Sequence, residues 1–120
     1  MMKRAMLFLI TLAMMTVAGI DAAEKYGVQV YPGAEYDEST TRYLDDEQYI
    51  EGAAYRTPED PSKVAEFYAK QGLTRVKGKA KSYAAFKKDN VEVNVQGPPR
   101  KDLVSGKKVE DTLIIITKED

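Results

Sequence analysis

The side chains able to do chemistry in this sequence are mainly carboxylates, because histidine and cysteine are both absent. Ser-His-Asp and Cys-His nucleophiles and the usual zinc and copper ligand sets are therefore excluded. Glycoside hydrolysis needs only two carboxyl groups about 5 to 9 Å apart, and Glu51 has the most apolar sequence context. We predict no catalytic residues and no enzymatic activity, with a carboxylate-based hydrolase of envelope polysaccharide as the alternative.

Sequence motifs for cofactors and metals are missing as well. The segment GLTRVKGKAKS (72–82) has neither the glycine spacing nor the helix start of a phosphate-binding loop. The acidic run DDE (45–47) lacks the interleaved ligand positions and the turn glycine of a calcium loop. We therefore expect no cofactor and no metal site, and we interpret the acidic run as a solvated helix end.

Tyrosine is the aromatic residue in surplus, with eight tyrosines and no tryptophan. An aromatic ring with a polar tip suits sugar stacking and protein contacts. Five tyrosines lie between positions 31 and 55, and four of them are our candidate binding residues: Tyr31, Tyr36, Tyr43 and Tyr55. The simpler interpretation is that these rings fill a small core and place their hydroxyl groups at its rim.

The segment GPPRKDLVSGKKVED (97–111) is long for a connection in a compact domain, where the median is about five residues. Its basic side chains are candidates for docking on an acidic glycan, a lipid headgroup or a partner protein. These candidates are Arg100, Lys101, Lys107 and Lys108. The simpler interpretation is a solvated hairpin extension that turns at Ser105-Gly106.

The N-terminus has the pattern of a secretory signal peptide. Lys3 and Arg4 precede an apolar run over residues 5–20, which is shorter than the ~20 residues that a membrane-spanning helix needs. Cleavage is expected after Ala22 or Ala23, and no cysteine is present to carry a lipid. We therefore predict residues 1–23 as a signal peptide and an exported product without a transmembrane segment, periplasmic in the first instance or secreted.

The mature segment, residues 24–120, has the size of one domain. It retains 16 basic and 18 acidic side chains once residues 1–23 are removed. This near-neutral balance argues against a nucleic-acid partner, which normally requires a clustered basic excess. Without cysteine, the fold depends on packing rather than on disulfide bonds.

A first helix is predicted over Asp37–Gln48, with Tyr36, Tyr43 and Leu44 at roughly helical spacing and Asp37 or Ser39 as the cap. Just before it, Pro32 and Gly33 predict a type II chain reversal.

A second helix is predicted after Thr57 or Asp60, because each can cap a helix and each is followed by a proline suited to its first turn. Gly72 supplies the helix stop. Apolar residues at helical spacing predict the buried stripe of this helix, namely Val64, Phe67 and Tyr68.

The second half of the chain predicts a sheet. Val91–Gln96 alternates between apolar and polar residues, as a strand with one wet face does, and the apolar run 113–116 is typical of a central strand. Further strands are predicted at Val28–Val30, Tyr49–Arg56, Leu73–Lys77 and Ser82–Lys87, the last two forming a hairpin across 78–81. Together these elements predict an α+β fold: a single small domain with an antiparallel or mixed sheet of four to six strands and one or two helices packed on one face.

Three motifs give the chain a family resemblance. They are GVQVYPGAEYDEST near the start, YRTPEDPSKVAEFYAKQGL in the middle and DTLIIITK near the end. The chain resembles, over residues 26–118, a family of small exported bacterial domains of unknown function. Members share a Val-Tyr-Pro-Gly-Ala start, a Thr-Pro-Asp type cap before Lys-Val-x-x-Phe-Tyr, and a final Thr-Leu-Ile strand. The resemblance implies an envelope-associated α+β domain without assigned catalysis.

These features favour a non-enzymatic exported module that binds a protein or a cell-envelope component. The signal peptide, the missing catalytic residue types and the tyrosine-rich surface all support this prediction. A small lipid or ligand carrier is a further alternative, beside the hydrolase.

Overall fold

The helices and strands follow the capping and alternation signals of the sequence. A computed structural model describes residues 23–79 and 83–119 and divides the chain into two compact units, Met1–Pro32 and Gly33–Asp120. The predicted signal peptide lies outside the described residues, apart from Ala23. Within the described ranges, no helix is long and apolar enough to cross a bilayer.

Among the described residues of the first unit, 23–32, two short strands form a hairpin. Strand β1 (Glu24–Lys25) pairs antiparallel with β2 (Val28–Gln29). The turn between them passes through Tyr26 and Gly27, which have φ values of 56° and 82°, as a type I′ hairpin turn requires. The predicted strand at Val28–Val30 is therefore present, although its regular part is short.

The second unit is built on a six-stranded sheet whose neighbouring strands are all antiparallel. Its order is β3-β4-β10-β7-β6-β5, so the apolar run 113–116 lies in a central strand, as predicted, and the α+β class is confirmed. The elements along this unit are β3 (Glu35–Tyr36), α1 (Glu38–Gln48), β4 (Gly52–Thr57), α2 (Pro61–Ala69), β5 (Thr74–Lys79), β6 (Tyr83–Lys88), β7 (Val91–Gln96), β8 (Arg100–Lys101), β9 (Lys108–Val109) and β10 (Thr112–Lys118).

Both helices begin at an aspartate. The carboxylate of Asp37 accepts hydrogen bonds from the backbone N–H of Thr40 at 3.0 Å and from its hydroxyl at 2.6 Å. At the start of α2 the carboxylate of Asp60 accepts the N–H of Ser62 at 2.9 Å, with Pro61 at the first helical position. Of the two predicted caps for α2, Asp60 is therefore the one used.

The two helices pack on opposite faces of the sheet. Tyr68 of α2 is fully buried, and its ring centroid lies 6.4 Å from that of Phe86, on the face that also carries Val93. Leu44 of α1 instead packs with Ala54, Leu113 and Ile115. Along their strands these residues alternate with those that face α2, so they lie on the other face of the sheet. One helix thus covers each face, and α1 covers its face mainly along β4 and β10. The predicted placement of the helices on one face is therefore corrected: residues 113–116 are buried on both sides of the central strand, so each face of the sheet needs its own cover.

Candidate functional site

A concave groove of about 640 Å³ lies beside the C-terminal end of α1. Its floor includes Glu92, Asn94 and Gln96 of β7, and residues 49–51, which follow α1, form one wall. The lining is completed by Leu44, Ile115, Thr117, Lys118 and Glu119. We refer to this site as the groove.

The groove exists because β7 has one dry face and one wet face. Val91, Val93 and Val95 are buried on the α2 side, while the alternate polar residues of the strand are half-buried on the other side. Helix α1 does not extend over those polar residues. The predicted wet face of β7 therefore becomes the floor of the groove, with the end of α1 standing beside it.

The wall of the groove contains a backbone conformation that tyrosine rarely adopts. Tyr49 ends α1 in the left-handed region, with φ 55° and ψ 39°, and the N–H groups of both Tyr49 and Ile50 donate to the carbonyl of Leu44. Glycine is the usual residue at this position of a helix end, because a side chain is strained there. The Tyr49 side chain is 89% exposed, so it gains little burial in return. Tyr49 was predicted to start a strand, but β4 begins only at Gly52.

Substituting glycine for Tyr49 should therefore stabilise the protein. We expect Tyr49→Gly to raise the free energy of unfolding by about 1 kcal/mol, because the left-handed strain is removed and little packing is lost. Urea denaturation of both proteins measures the difference. A clear loss of stability would show that the exposed ring contributes to the fold, and would argue against a functional reason for keeping it.

Negative charge is concentrated around the groove. Its lining carries the carboxylates of Glu51, Glu92 and Glu119 and the ammonium group of Lys118. The Lys87 ammonium lies 3.4 Å from the Glu119 carboxylate, so Glu51 and Glu92 are the main acidic groups offered to a ligand. The Asn94 amide donates to the Glu92 carboxylate at 2.9 Å and holds it in place. The last turn of α1 contains the exposed run 45–47 and no basic residue, although the helix dipole favours cations at that end. The charges therefore suit a cationic ligand.

The candidate tyrosines of the second unit do not form a single surface. Tyr36 and Tyr55 are neighbours on β3 and β4, with ring centroids 5.7 Å apart in an edge-to-face arrangement, and Tyr36 is 57% exposed. Burial raises the pKa of the Tyr55 hydroxyl, and the neighbouring Tyr36 adds to the effect. Tyr43 lies on α1, on the other side of the sheet, where its hydroxyl accepts a hydrogen bond from Gln48 at 3.2 Å. Tyr31 is half-buried in the first unit.

The basic segment forms a two-stranded hairpin, β8 and β9, as its simpler interpretation predicted. Lys101, Lys107 and Lys108 are exposed on it. Arg100 differs from them, because its side chain is only 7% exposed and its guanidinium pairs with the Asp111 carboxylate while Nε donates to the Asp111 carbonyl at 2.9 Å. The structure therefore places Arg100 at the base of the hairpin as an ion-pair partner whose side chain is largely buried, whereas the neighbouring lysines are exposed.

Several groove residues escaped the sequence analysis. Glu51 was named for possible hydrolysis and does line the groove, but Glu92 and Asn94 were read only as the wet side of a strand. Two signals in the sequence were available. The end of the first helix is acidic and has no lysine or arginine, and a tyrosine follows it where a glycine usually ends a helix.

Comparisons with known proteins add no relative to this picture. Among residues 23–79 and 83–119, no three or more histidine, cysteine, aspartate or glutamate side chains are arranged so that they could hold a metal ion. Neither protein-family models, nor curated proteins, nor solved structures give a match to the chain.

Proposed function

We propose that the chain is a non-enzymatic exported module that binds a protein of the cell envelope, and that the groove receives a basic segment of this partner. The observation that carries the proposal is Tyr49, a strained and almost fully exposed ring beside an acidic concave site. Strain that packing does not explain is frequently retained for function.

The chemistry of the groove supports a cationic side chain as the group recognised. A lysine or arginine that enters the groove meets carboxylates on its floor and wall and can stack on the ring of Tyr49, which attracts a cation at its face. Ile50, which is 37% exposed, adds apolar contact area beside the ring. Such a site combines electrostatic steering with a central aromatic contact, as protein-binding sites commonly do.

Capture from an envelope extract tests the proposal with three immobilised proteins. They are the wild type, Tyr49→Gly and the matched control Val76→Ser, which removes an exposed apolar side chain from β5. We expect the wild type and the control to retain the same protein, Tyr49→Gly to lose it, and raised salt to release it. Peptide mapping should locate the contact in a lysine- or arginine-rich segment. Equal retention by all three proteins, or by none, contradicts the proposal.

Hydrolysis remains the second candidate because Glu51, Glu92 and Glu119 line the same groove and glycosidases act through two carboxyl groups. Glu51 is exposed, however, whereas a general acid commonly lies in apolar surroundings. The floor of the groove is polar, whereas a lipid carrier, the other alternative, would require an apolar lining. Binding of a protein segment therefore explains more of the geometry.

A further inference from the structure

The hairpin of β8 and β9 ends in two apolar side chains surrounded by lysines. Leu103 and Val104 are 39% and 49% exposed, and Lys101, Lys107 and Lys108 are exposed beside them. We call these five residues the tip. The tip shares no residue with the groove and lies at and beside the turn of a hairpin, so it is a second surface with both apolar and cationic groups.

Asp102 holds the tip in a defined conformation. One carboxylate oxygen of Asp102 accepts the N–H groups of Val104 at 3.1 Å and Ser105 at 2.8 Å, and the other lies 3.1 Å from a guanidinium nitrogen of Arg56. The Gly106 N–H donates to the carbonyl of Asp102 at 2.9 Å. The acidic side chain within residues 101–108 is thus engaged by the turn and by Arg56, and the surface formed by the tip is cationic.

The positions of the lysines destabilise the hairpin itself. Lys101 lies directly opposite Lys108 in the ladder between β8 and β9, and like charges in this relation destabilise a strand pair. Lys107 adds a third positive charge beside them. An anionic surface placed against the tip would relieve this repulsion, so the arrangement of the lysines favours binding to such a surface.

We propose that the tip docks on a bilayer containing anionic phospholipids. Leu103 and Val104 enter the interfacial layer, and the three ammonium groups contact the lipid phosphates. A bilayer accepts individual apolar side chains at its interface and attracts lysine through its surface charge. A stable protein interface instead buries about 800 Å² on each partner, which a hairpin turn with two exposed apolar side chains does not supply.

Vesicle co-sedimentation of the full chain, purified in the form that the cells produce, tests this proposal. We expect binding to vesicles of phosphatidylglycerol and phosphatidylethanolamine and much weaker binding to phosphatidylcholine. The double variant Lys107→Ser/Lys108→Ser should lower the partition coefficient on the anionic vesicles by about 25-fold, since each lysine contributes about five-fold. Leu103→Ser/Val104→Ser should lower it by about ten-fold, through lost apolar burial.

Two matched controls change the same chemistry elsewhere on the protein. Lys63→Ser/Lys70→Ser removes two exposed lysines, Lys63 within α2 and Lys70 at its C-terminal end. Val76→Ser removes an exposed valine of β5. Both controls should bind the anionic vesicles as the wild type does. Equal affinity for both vesicle types, or equal loss in the controls, overturns the proposal. Wild-type binding by Leu103→Ser/Val104→Ser, together with competition by inorganic phosphate, would also overturn it and would identify a site for soluble anions.

Discussion

Replacing Arg56 with alanine lowers the free energy of unfolding by about 2–3 kcal/mol. The Arg56 guanidinium lies 3.1 Å from carboxylate oxygens of both Asp102 and Asp111 and 3.6 Å from that of Asp37. Removing its charge takes the counter-charge from Asp37 and Asp102, whose side chains are at most 11% exposed, while Asp111 keeps its ion pair with Arg100. The effect is somewhat below that of a fully buried pair because the Arg56 side chain is 30% exposed. Urea denaturation measures it.

Arg56 has this effect because it joins three separate parts of the second unit. Asp37 caps α1, Asp102 orders the hairpin turn, and Asp111 immediately precedes β10. The Arg56 Nε atom has no well-aligned hydrogen-bond partner within the described part of the chain, so much of its attraction is Coulombic. Arg56→Lys keeps the charge and should therefore lose about half as much stability as Arg56→Ala.

An exposed arginine on α1 provides the matched control. Arg42 pairs with Glu38 one helical turn away, but both side chains are well exposed, at 65% and 70%. Pairs of this kind contribute little to stability, typically under about 1 kcal/mol. Arg42→Ala should change the free energy of unfolding by less than about 0.5 kcal/mol. A similar loss in both variants would show that Arg56 has no special role in joining these elements.

The effect of Arg56 should also depend on pH in a defined direction. Hydrogen bonds from Ser105 lower the pKa of Asp102 most, and the N–H of Val104 and the charge of Arg56 lower it further. A carboxyl group whose folded pKa is depressed stabilises the fold above its unfolded pKa, about 3.9, and loses that contribution as the pH falls through the folded value. Protonation of the carboxylate also removes its attraction to Arg56, so the difference between wild type and Arg56→Ala should be large at pH 7 and shrink below about pH 4. A constant difference from pH 7 to pH 3 would contradict this explanation.

The sequence predicted those parts of the fold that depend on local chemistry. Asp60-Pro61 marks the start of α2, alternation marks β7, and the apolar run 113–116 marks a central strand, because caps and side-chain periodicity act within a few residues. The cluster around Arg56 was not predictable in this way. Its partners at 37, 102 and 111 are brought together only by strand register and by the hairpin, which no local pattern encodes.

The groove was predictable only in part, for a related reason. Alternation identified the polar side of β7, but the concavity depends on how far α1 extends along the sheet and on which side it packs. Tyr49 was assigned to the strand predicted at Tyr49–Arg56, and aromatic residues do favour strands, whereas the helix end imposes φ 55° on it. The local preference and the observed conformation disagree at the position that we propose to be functional, which is where such disagreement is expected.

A methyl group at Gly97 should be among the most disruptive small changes in this protein. A Cβ at this position would lie 2.2 Å from Cγ and 2.6 Å from Cβ of Pro61. Gly97 directly follows β7, and Pro61 is the buried first residue of α2. Because the proline ring is rigid and Val64 and Tyr68 in the same helix are fully buried, α2 can yield only by unpacking. We expect Gly97→Ala to lower the free energy of unfolding by about 2–3 kcal/mol.

A double-mutant cycle with Pro61 tests whether this overlap is the cause. Pro61→Gly removes the ring atoms and the Cβ that the new methyl group would meet, and by itself it weakens the start of α2. If steric overlap dominates, the double variant loses less free energy of unfolding than the sum of the losses in the two single variants, and the difference, the coupling energy, is about 2 kcal/mol. Strict additivity would mean that Gly97 acts through backbone freedom instead. Positive coupling would establish that the approach of β7 to the start of α2 requires a residue without a side chain.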